Sequence, residues 1–381
     1  MRTVEPADAG ELAEALREAA SRRQSIRVAG ARSKDAAGGP LDQADVEIST
    51  RRLNRVLAYD PNDLTISVEA GLPWAQFSAL LAERGQMAPL DPPFAGRATV
   101  GGILAANSAG PRRRLYGTAR DMLIGMRFAT LEGRIVESGG MVVKNVAGLD
   151  LARLMIGSFG TLAVIVSANF RLYPVPRCWR TFVREFGALA PAMTERDRLL
   201  ASPLQPAALD LLNPAAARRL GYERYLLAVE AGGSEAVLAR YRGELPGWRE
   251  LDEEEASRLW EGVREFIPSF LGSHPRAAVV RVSTTLAGLG RLLDGVEAPA
   301  VARAGSGVAW AHFESSREAE AFAREAAARG YPAVVEFSAP EAKTGAALWP
   351  KPGPDFALME RLKEHFDPHR LLNRGRLYGR I

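Results

Sequence analysis

The segment "ATVGGILAANSAG", residues 98 to 110, most constrains what this chain can fold into. Gly101, Gly102, Ala105, Ala106, Ser108, Ala109 and Gly110 carry almost no side chain, yet Ile103 and Leu104 interrupt the run. A core segment holds larger apolar groups, because buried area stabilises it. A flexible linker has no use for Ile103 and Leu104. What remains is a backbone that another body approaches closely, either a packed neighbouring element or a ligand. Directly afterwards the sequence turns basic, at Arg112, Arg113 and Arg114.

Two shorter stretches share this character. In "RVAGARSK", residues 27 to 34, a strand runs directly into Gly30, Ala31 and Ser33. Small residues let successive backbone N–H groups turn inward into an anion-binding nest; an ordinary turn is the competing reading. In "GSFGTLAVI", residues 157 to 165, Gly160 and Thr161 interrupt the approach to a very apolar strand, as backbone contact with a planar ring requires. A plain turn before a core strand is again the alternative. Neither run has the Gly-x-Gly-x-x-Gly spacing of a nicotinamide-binding turn, and "GSGVAW" at 305 has only its first two glycines.

A chain of 381 residues exceeds what one core usually serves, so two domains are expected. "DAGELAEALREAA" reads as a helix capped by Asp8, and "WAQFSALLAERG" as a second one closed by Gly85. "SIRVAG", "DVEIST" and "LTISVEAG" read as strands, "DMLIGMRFATLEGRIVESGG" as a hairpin turning at Glu132-Gly133, "LDLARLMIG" as a short helix and "GTLAVIVSANFRLYP" as a long strand. "PVPRCWR" marks a boundary. Beyond it, "RTFVREF", "AALDLLN", "RYLLAVEAGG", "AAVVRVST", "GVAWAHF" and "PAVVEFS" alternate with helices from about Ser234, Leu286 and Ser316, the pattern of an α+β layer. A last helix ends at Asp367-Pro368.

The charge of +4 is spread along the chain, and its one tight basic cluster, Arg112 to Arg114, argues against a nucleic-acid surface. The single cysteine, Cys178, excludes an internal disulfide, a cysteine-held iron–sulfur cluster and a cysteine zinc site, and suits a reducing cytoplasm. The N-terminus lacks an apolar signal region and no run reaches a membrane span, so any membrane contact is expected through partners.

Taken in order, "RVAGARSK", "LDPPFAGRATVGGILAANSAGPRRRLYGTARDMLIGMR" and "KNVAGLDLARLMIGSFGTLAVI" resemble the FAD-binding domain of the vanillyl-alcohol-oxidase, or p-cresol methylhydroxylase, superfamily. "AGPRRRLYGTARD", "KNVAGLDLARLMIGSFGTL" and the tail "HFDPHRLLNRGRLY" are similar to the FAD-binding E subunits of bacterial glycolate oxidases. The resemblance implies an α+β chain: a two-lobed FAD-binding domain of the p-cresol methylhydroxylase type over 1–175, an α+β cap over 176–340, and a segment, 341–381, returning towards the flavin. It also implies that Val28, Ala29, Gly30, Ala31, Arg32, Ser33 and Lys34 wrap the pyrophosphate. Thr99, Gly101, Gly102, Ala105, Ala106, Asn107, Ser108 and Ala109 would line the ribityl chain and the near side of the ring. Gly160, Thr161, Val164 and Ile165 would hold the adenine side, and Gly117 and Asp121 would shape the loop between. Lys144, Asn145, Asn373 and Arg376 are the polar residues it puts nearest the flavin, and so the catalytic candidates.

The departures are equally specific. Many relatives bond the flavin covalently to a histidine of the pyrophosphate loop; here Arg32, Ser33 and Lys34 stand in that region, and the first histidine of the chain is His274. Noncovalent FAD is therefore expected. Ala163 replaces the usual glycine after "GTL", and Arg374 the usual proline of the tail. No "HxGDGNxH" element is present, His312 stands alone in a strand, and the Asp367-Pro368 break separates His365 from His369, so no metal site is expected. Removing a hydride from a 2-hydroxy acid needs its hydroxyl proton accepted and its carboxylate held. The expectation is accordingly a glycolate (2-hydroxy acid) oxidase or dehydrogenase component that relays electrons, with a flavoprotein D subunit and an iron–sulfur F subunit as partners. A self-sufficient flavin oxidoreductase on another hydroxylated substrate, or a non-redox scaffold, are the alternatives.

Overall fold

The computed structural model describes residues 1–40, 43–141, 149–343 and 348–381. Near the N-terminus, helix and strand alternate to give a parallel sheet ordered Arg2–Val4, Val46–Ser49, Ile26–Ala29. The helix Ala9–Ser21 covers it with Leu12 and Leu16, and the Asp8 carboxylate accepts from the Glu11 N–H at 2.9 Å, the cap that the sequence places there.

The next strands form an antiparallel sheet ordered Val56–Asp60, Thr65–Glu69, Val164–Arg171, Leu123–Ala129, Ile135–Gly139. Its hairpin turns at Gly133, whose φ of +77° suits glycine. The helices Trp74–Ala82 and Val100–Ala105 pack on this sheet, around Phe77, Phe128 and Phe170.

From Cys178–Phe186 to Ala333–Ser338 the chain builds an eight-stranded antiparallel sheet. One face carries Leu209, Val229, Val280 and Val335 into an apolar core with the helices Leu189–Ala201, Glu235–Glu244 and Ser316–Ala328. The intervening positions face the other way, towards the N-terminal sheets. The sequence reading placed no helix at Leu189–Ala201 or over Glu253–Arg264 and Phe266–Ser273. Pro191 obscures the first, although proline is tolerated in a first turn. The second was legible: Asp252 and Glu255 form a capping box.

The C-terminal helix Phe356–Phe366 ends where Asp367-Pro368 predicts, leaving His365 inside it and His369 beyond. Asp367 then organises the return of the chain. Its carboxylate accepts from Lys363 Nζ at 2.6 Å and from the N–H groups of Leu371 and Leu372, each at 2.8 Å. Lys363 also donates to the carbonyls of Thr161 (2.8 Å) and Leu372 (3.1 Å). Leu372 thereby reaches the edge of the first sheet, bridging to Ile26 in parallel. Both Lys363 and Asp367 are fully buried. Removing one partner of such a pair strands the other charge. Asp367→Ala is expected to lower unfolding free energy by about 3–5 kcal/mol, read from urea denaturation; an unchanged midpoint would remove the pair from this role.

Candidate functional site

The strand Ile26–Ala29 delivers the chain into the loop 30–39. Arg32 takes a left-handed conformation (φ +57°) and is held there by an ion pair with the buried Glu47. Among the described residues, the backbone N–H groups of Ala31, Arg32, Ser33 and Lys34 donate to no protein acceptor. The loop's carbonyls are occupied instead. Arg376 donates to the carbonyls of Lys34 (3.1 Å), Gly39 (3.2 Å) and Asp35 (3.3 Å). Lys343 donates to those of Asp35 (2.9 Å), Gly39 (3.4 Å) and Ala37 (3.5 Å). Burial, with the Arg376 charge second, pushes Lys343 down to about 7. Successive free N–H groups around a left-handed residue make an anion-binding concavity.

This loop meets the small-residue run. A Cβ on Gly30 would stand 2.5 Å from Thr99 Oγ1, and Thr99 itself caps the helix Val100–Ala105 by accepting from the Gly102 N–H at 3.3 Å. The two readings of the run divide between its positions. Gly101 and Gly110 are small for the protein's sake: added Cβ atoms would lie 2.7 Å from Ala70 Cβ and 1.9 Å from the Asp91 carbonyl. Gly102 faces open space, with Thr99 Oγ1 at 3.3 Å its one near neighbour, and Ala105 beside it is half-buried. Ala106, Asn107, Ser108 and Ala109 line a cavity.

The other residues singled out in the sequence serve the frame. Asp121 accepts from the Thr118 N–H at 2.7 Å and leaves no room for a side chain at Gly117. Gly160 (φ +67°) lies against Asn373 Nδ2 and Val28, and the buried Thr161 donates to the Ser158 carbonyl at 2.7 Å. Val164 and Ile165 are buried in their strand. Asn373 accepts from the Val28 N–H (2.9 Å) and donates to the Phe159 carbonyl (2.7 Å). Asn373 and Arg376 thus spend their polar atoms on backbone groups, and neither lines the cavity. Lys144 and Asn145 lie outside the described residues. Lys34 turns inward, 3.3 Å from the Pro93 carbonyl and 5.2 Å over the Phe94 ring, and burial lowers it to about 8.

The cavity, about 320 Å³, lies between the small-residue run and the free face of the eight-stranded sheet. Gly38, Pro93, Gly157 and Phe159 complete its first wall; Arg281, Ser283, Val301, Arg303, Val308, Trp310, His312, Val334 and Glu336 make the second. Register explains the second wall, since Arg281 stands opposite Trp310, Val301 beside it, and Arg303 opposite Val308. Glu336 accepts from Trp310 Nε1 at 2.6 Å and lies 3.6 Å from Arg281 Nε. Arg303 is ion-paired with the buried Asp210. His312 is buried, its Nδ1 2.9 Å from the Pro299 carbonyl and its Nε2 shut from solvent without a partner. Among the described residues, no three histidine, cysteine or acidic side chains gather as a metal site. The sequence reading missed this wall, although Arg281 and Ser283 in "AAVVRVST" and Trp310 and His312 in "GVAWAHF", alternating with small apolar residues, were its signal.

The two walls are clamped at their rim. Arg112 grips Glu230 with two hydrogen bonds of 2.7 and 2.9 Å and stacks 4.3 Å from the Trp179 ring centroid. Glu265 accepts from the N–H groups of Phe94 and Ala95, each at 3.0 Å.

Residues 2–139 match the family model of the FAD binding domain, and residues 350–377 that of the C-terminal domain of FAD linked oxidases. Over 372 residues, 97% of both chains, the sequence is 32% identical to glycolate oxidase subunit GlcE of Escherichia coli (strain K12). Over 163 residues it is 32% identical to glycolate oxidase subunit GlcD of Bacillus subtilis (strain 168), covering 43% of this chain and 35% of that one. A solved structure of alkyldihydroxyacetonephosphate synthase shares the fold, with a TM-score of 0.74 at 17% identity over 97% of this chain and 76% of its own.

Gly102→Leu fills the open side of the run without touching the core, so it is expected to abolish flavin binding while thermal stability of the apoprotein holds. Gly101→Ala strikes Ala70 and is expected to lower stability itself. Normal flavin content in Gly102→Leu would assign the run to packing alone. His312 supplies a pH signature. Burial lowers it from 6.5 to about 4. Between those values the unfolded chain binds a proton that the folded chain refuses, so stability falls as the pH falls. Relative to His312→Gln, the parent is expected to lose up to about 3 kcal/mol in denaturant titrations from pH 7 to pH 4; parallel curves would refute this.

Proposed function

We propose, from the premise that this chain belongs to the family of FAD-linked oxidases that includes glycolate oxidase subunit GlcE, that it is the FAD-binding subunit of a glycolate (2-hydroxy acid) oxidase complex and holds its flavin noncovalently. The chain is an FAD-dependent oxidoreductase component with the p-cresol methylhydroxylase-type fold. The observation that carries the proposal is the junction of the loop 30–39 with the small-residue run. Four N–H groups there, without an acceptor among the described residues, adjoin a run of small residues that continues into the cavity. These groups suit a pyrophosphate, and the run from Gly102 to Ala109 suits the ribityl chain and the near side of the ring. No histidine, cysteine or tyrosine stands in residues 28–34 to form a bond to the ring.

FAD supplies the electron transfer. The protein's part is to bind, orient and enclose. Arg376 and Lys343 hold the loop by the carbonyls of Lys34, Asp35, Ala37 and Gly39, and the N–H groups of Ala31 to Lys34 meet no acceptor among the described residues. Among the described residues, the titratable acceptors lining the cavity are Glu336, which accepts from Trp310, and His312, whose Nε2 is shut from solvent. This favours electron relay over substrate oxidation within the subunit. A flavoprotein D subunit and an iron–sulfur F subunit are the proposed partners, in the cytoplasm. Among the described residues no helix is long and apolar enough to cross a membrane, so attachment to one would go through those partners.

Acid precipitation should release all the yellow colour into the supernatant; colour in the pellet would show a covalent bond. Mixing the flavin-loaded chain anaerobically with glycolate should leave the flavin band unbleached on the timescale of turnover, on the order of ten per second. Bleaching at that rate would overturn the relay.

A further inference from the structure

We infer that His312 is a partition one side chain thick between the cavity and a second, outer pocket, and that it closes this passage to small solutes. The outer pocket, about 350 Å³, is lined by Arg219, Phe270, Pro299, Phe313 and Glu314 among others. Among the described residues, His312 is the one that lines both spaces. It is itself 1% exposed, so its ring fills the opening rather than standing at its edge.

The helix Phe266–Ser273 backs the ring. Phe266 lines the cavity and Phe270 the outer pocket, and residues four apart share one face of a helix. Their rings stand 4.7 and 5.3 Å from the imidazole, at 66° and 61° to it. Phe270 in turn carries the Arg219 guanidinium 5.0 Å from its centroid and stacks on His274 at 4.5 Å. From the cavity outward the wall is therefore Phe266, His312, Phe270 and then a charged rim.

The polar atoms of His312 hold it in that place. The Pro299 carbonyl accepts from both its backbone N–H and its Nδ1, each at 2.9 Å. A carbonyl only accepts, so the proton sits on Nδ1 and Nε2 keeps a lone pair. Nε2 has no partner among the described residues. With Nδ1–H committed to Pro299, a proton taken up at Nε2 is not handed on by the other nitrogen, and burial holds the ring neutral. The imidazole thus divides the two spaces and does not connect them. The inference rests on the flavin-bearing reading of the cavity. A flavin that passes electrons to partner subunits loses them to any small oxidant that reaches it from outside, and exclusion of water strengthens the electrostatic contacts within.

The test is acrylamide quenching of flavin fluorescence in the flavin-loaded full chain. The parent should be protected. The quenching constant should rise several-fold in His312→Ala and fall back towards the parent's when imidazole is added to refill the hole. His312→Val should rise less, and serves if His312→Ala does not fold. His312→Leu keeps the bulk without the nitrogens and should protect as the parent does. Equal quenching in the parent and the truncated variants would overturn the inference. So would quenching of His312→Leu as strong as that of His312→Ala, because bulk would then not be what closes the wall. A parent chain that carries no flavin would instead defeat the proposed function. Calorimetric titration of His312→Ala apoprotein with imidazole would still decide the partition, with binding to the variant and none to the parent expected, and no binding to the variant overturning it.

Discussion

Two buried basic side chains holding one loop by its carbonyls are the constraint on which this structure depends. A loop's backbone offers donors and acceptors in equal number, and burial demands that both be satisfied. Here Lys343 and Arg376 take the carbonyls of Lys34, Asp35, Ala37 and Gly39 from within. The N–H groups of 31 to 34 donate to no acceptor among the described residues. Both side chains donate here, so this arrangement has a direction: they hold carbonyls and leave the N–H groups of 31 to 34 untouched. An anion-binding surface follows from that asymmetry without any side chain touching the ligand.

The clamp works only if the C-terminal segment returns to the loop, and the Lys363–Asp367 pair enforces that return. It joins the last helix, the backbone at Thr161 and the strand-like contact of Leu372 with Ile26 in one buried knot. Asn373 continues it, bonding to Val28 and Phe159 at once. Residues more than three hundred positions apart thereby position the same loop. The same loop also pairs with the eight-stranded sheet, through Ala37 and Phe337. A disturbance in the tail is therefore felt both at the cofactor loop and at the cavity wall.

The cavity is the product of two periodicities. On one side, a helix and its following turn present small residues at the positions that face outward. On the other, strand alternation sends Arg281, Arg303, Trp310 and His312 to one face and their apolar neighbours to the opposite core. Arg112, gripping Glu230 and lying on Trp179, holds the two walls at a fixed separation. Three successive arginines consequently have three environments: Arg112 is paired, Arg113 is open to the cavity, and Arg114 packs against Gly305.

By itself the sequence determined most elements of the N-terminal half and several of their ends, and its resemblance to a flavin-binding family implied the dinucleotide-binding character. Asp8, Gly85, Gly133 and the Asp367-Pro368 stop act through local backbone geometry, which a few neighbouring residues settle. The small-residue run was legible for the same reason, since absent side chains announce close approach whatever approaches. Which glycine faces protein and which faces open space was decided by tertiary structure alone: Gly101 meets Ala70 and Gly102 does not, though they are adjacent in the chain. The roles of Asn373 and Arg376 were decided there too, because a polar side chain far along the sequence reveals nothing of its acceptors until the fold brings a strand or a loop beneath it. The surroundings of Arg113, which lines the cavity, belong to the same class. Whether a cation is compensated depends on what every other element places around it, and no local pattern carries that sum.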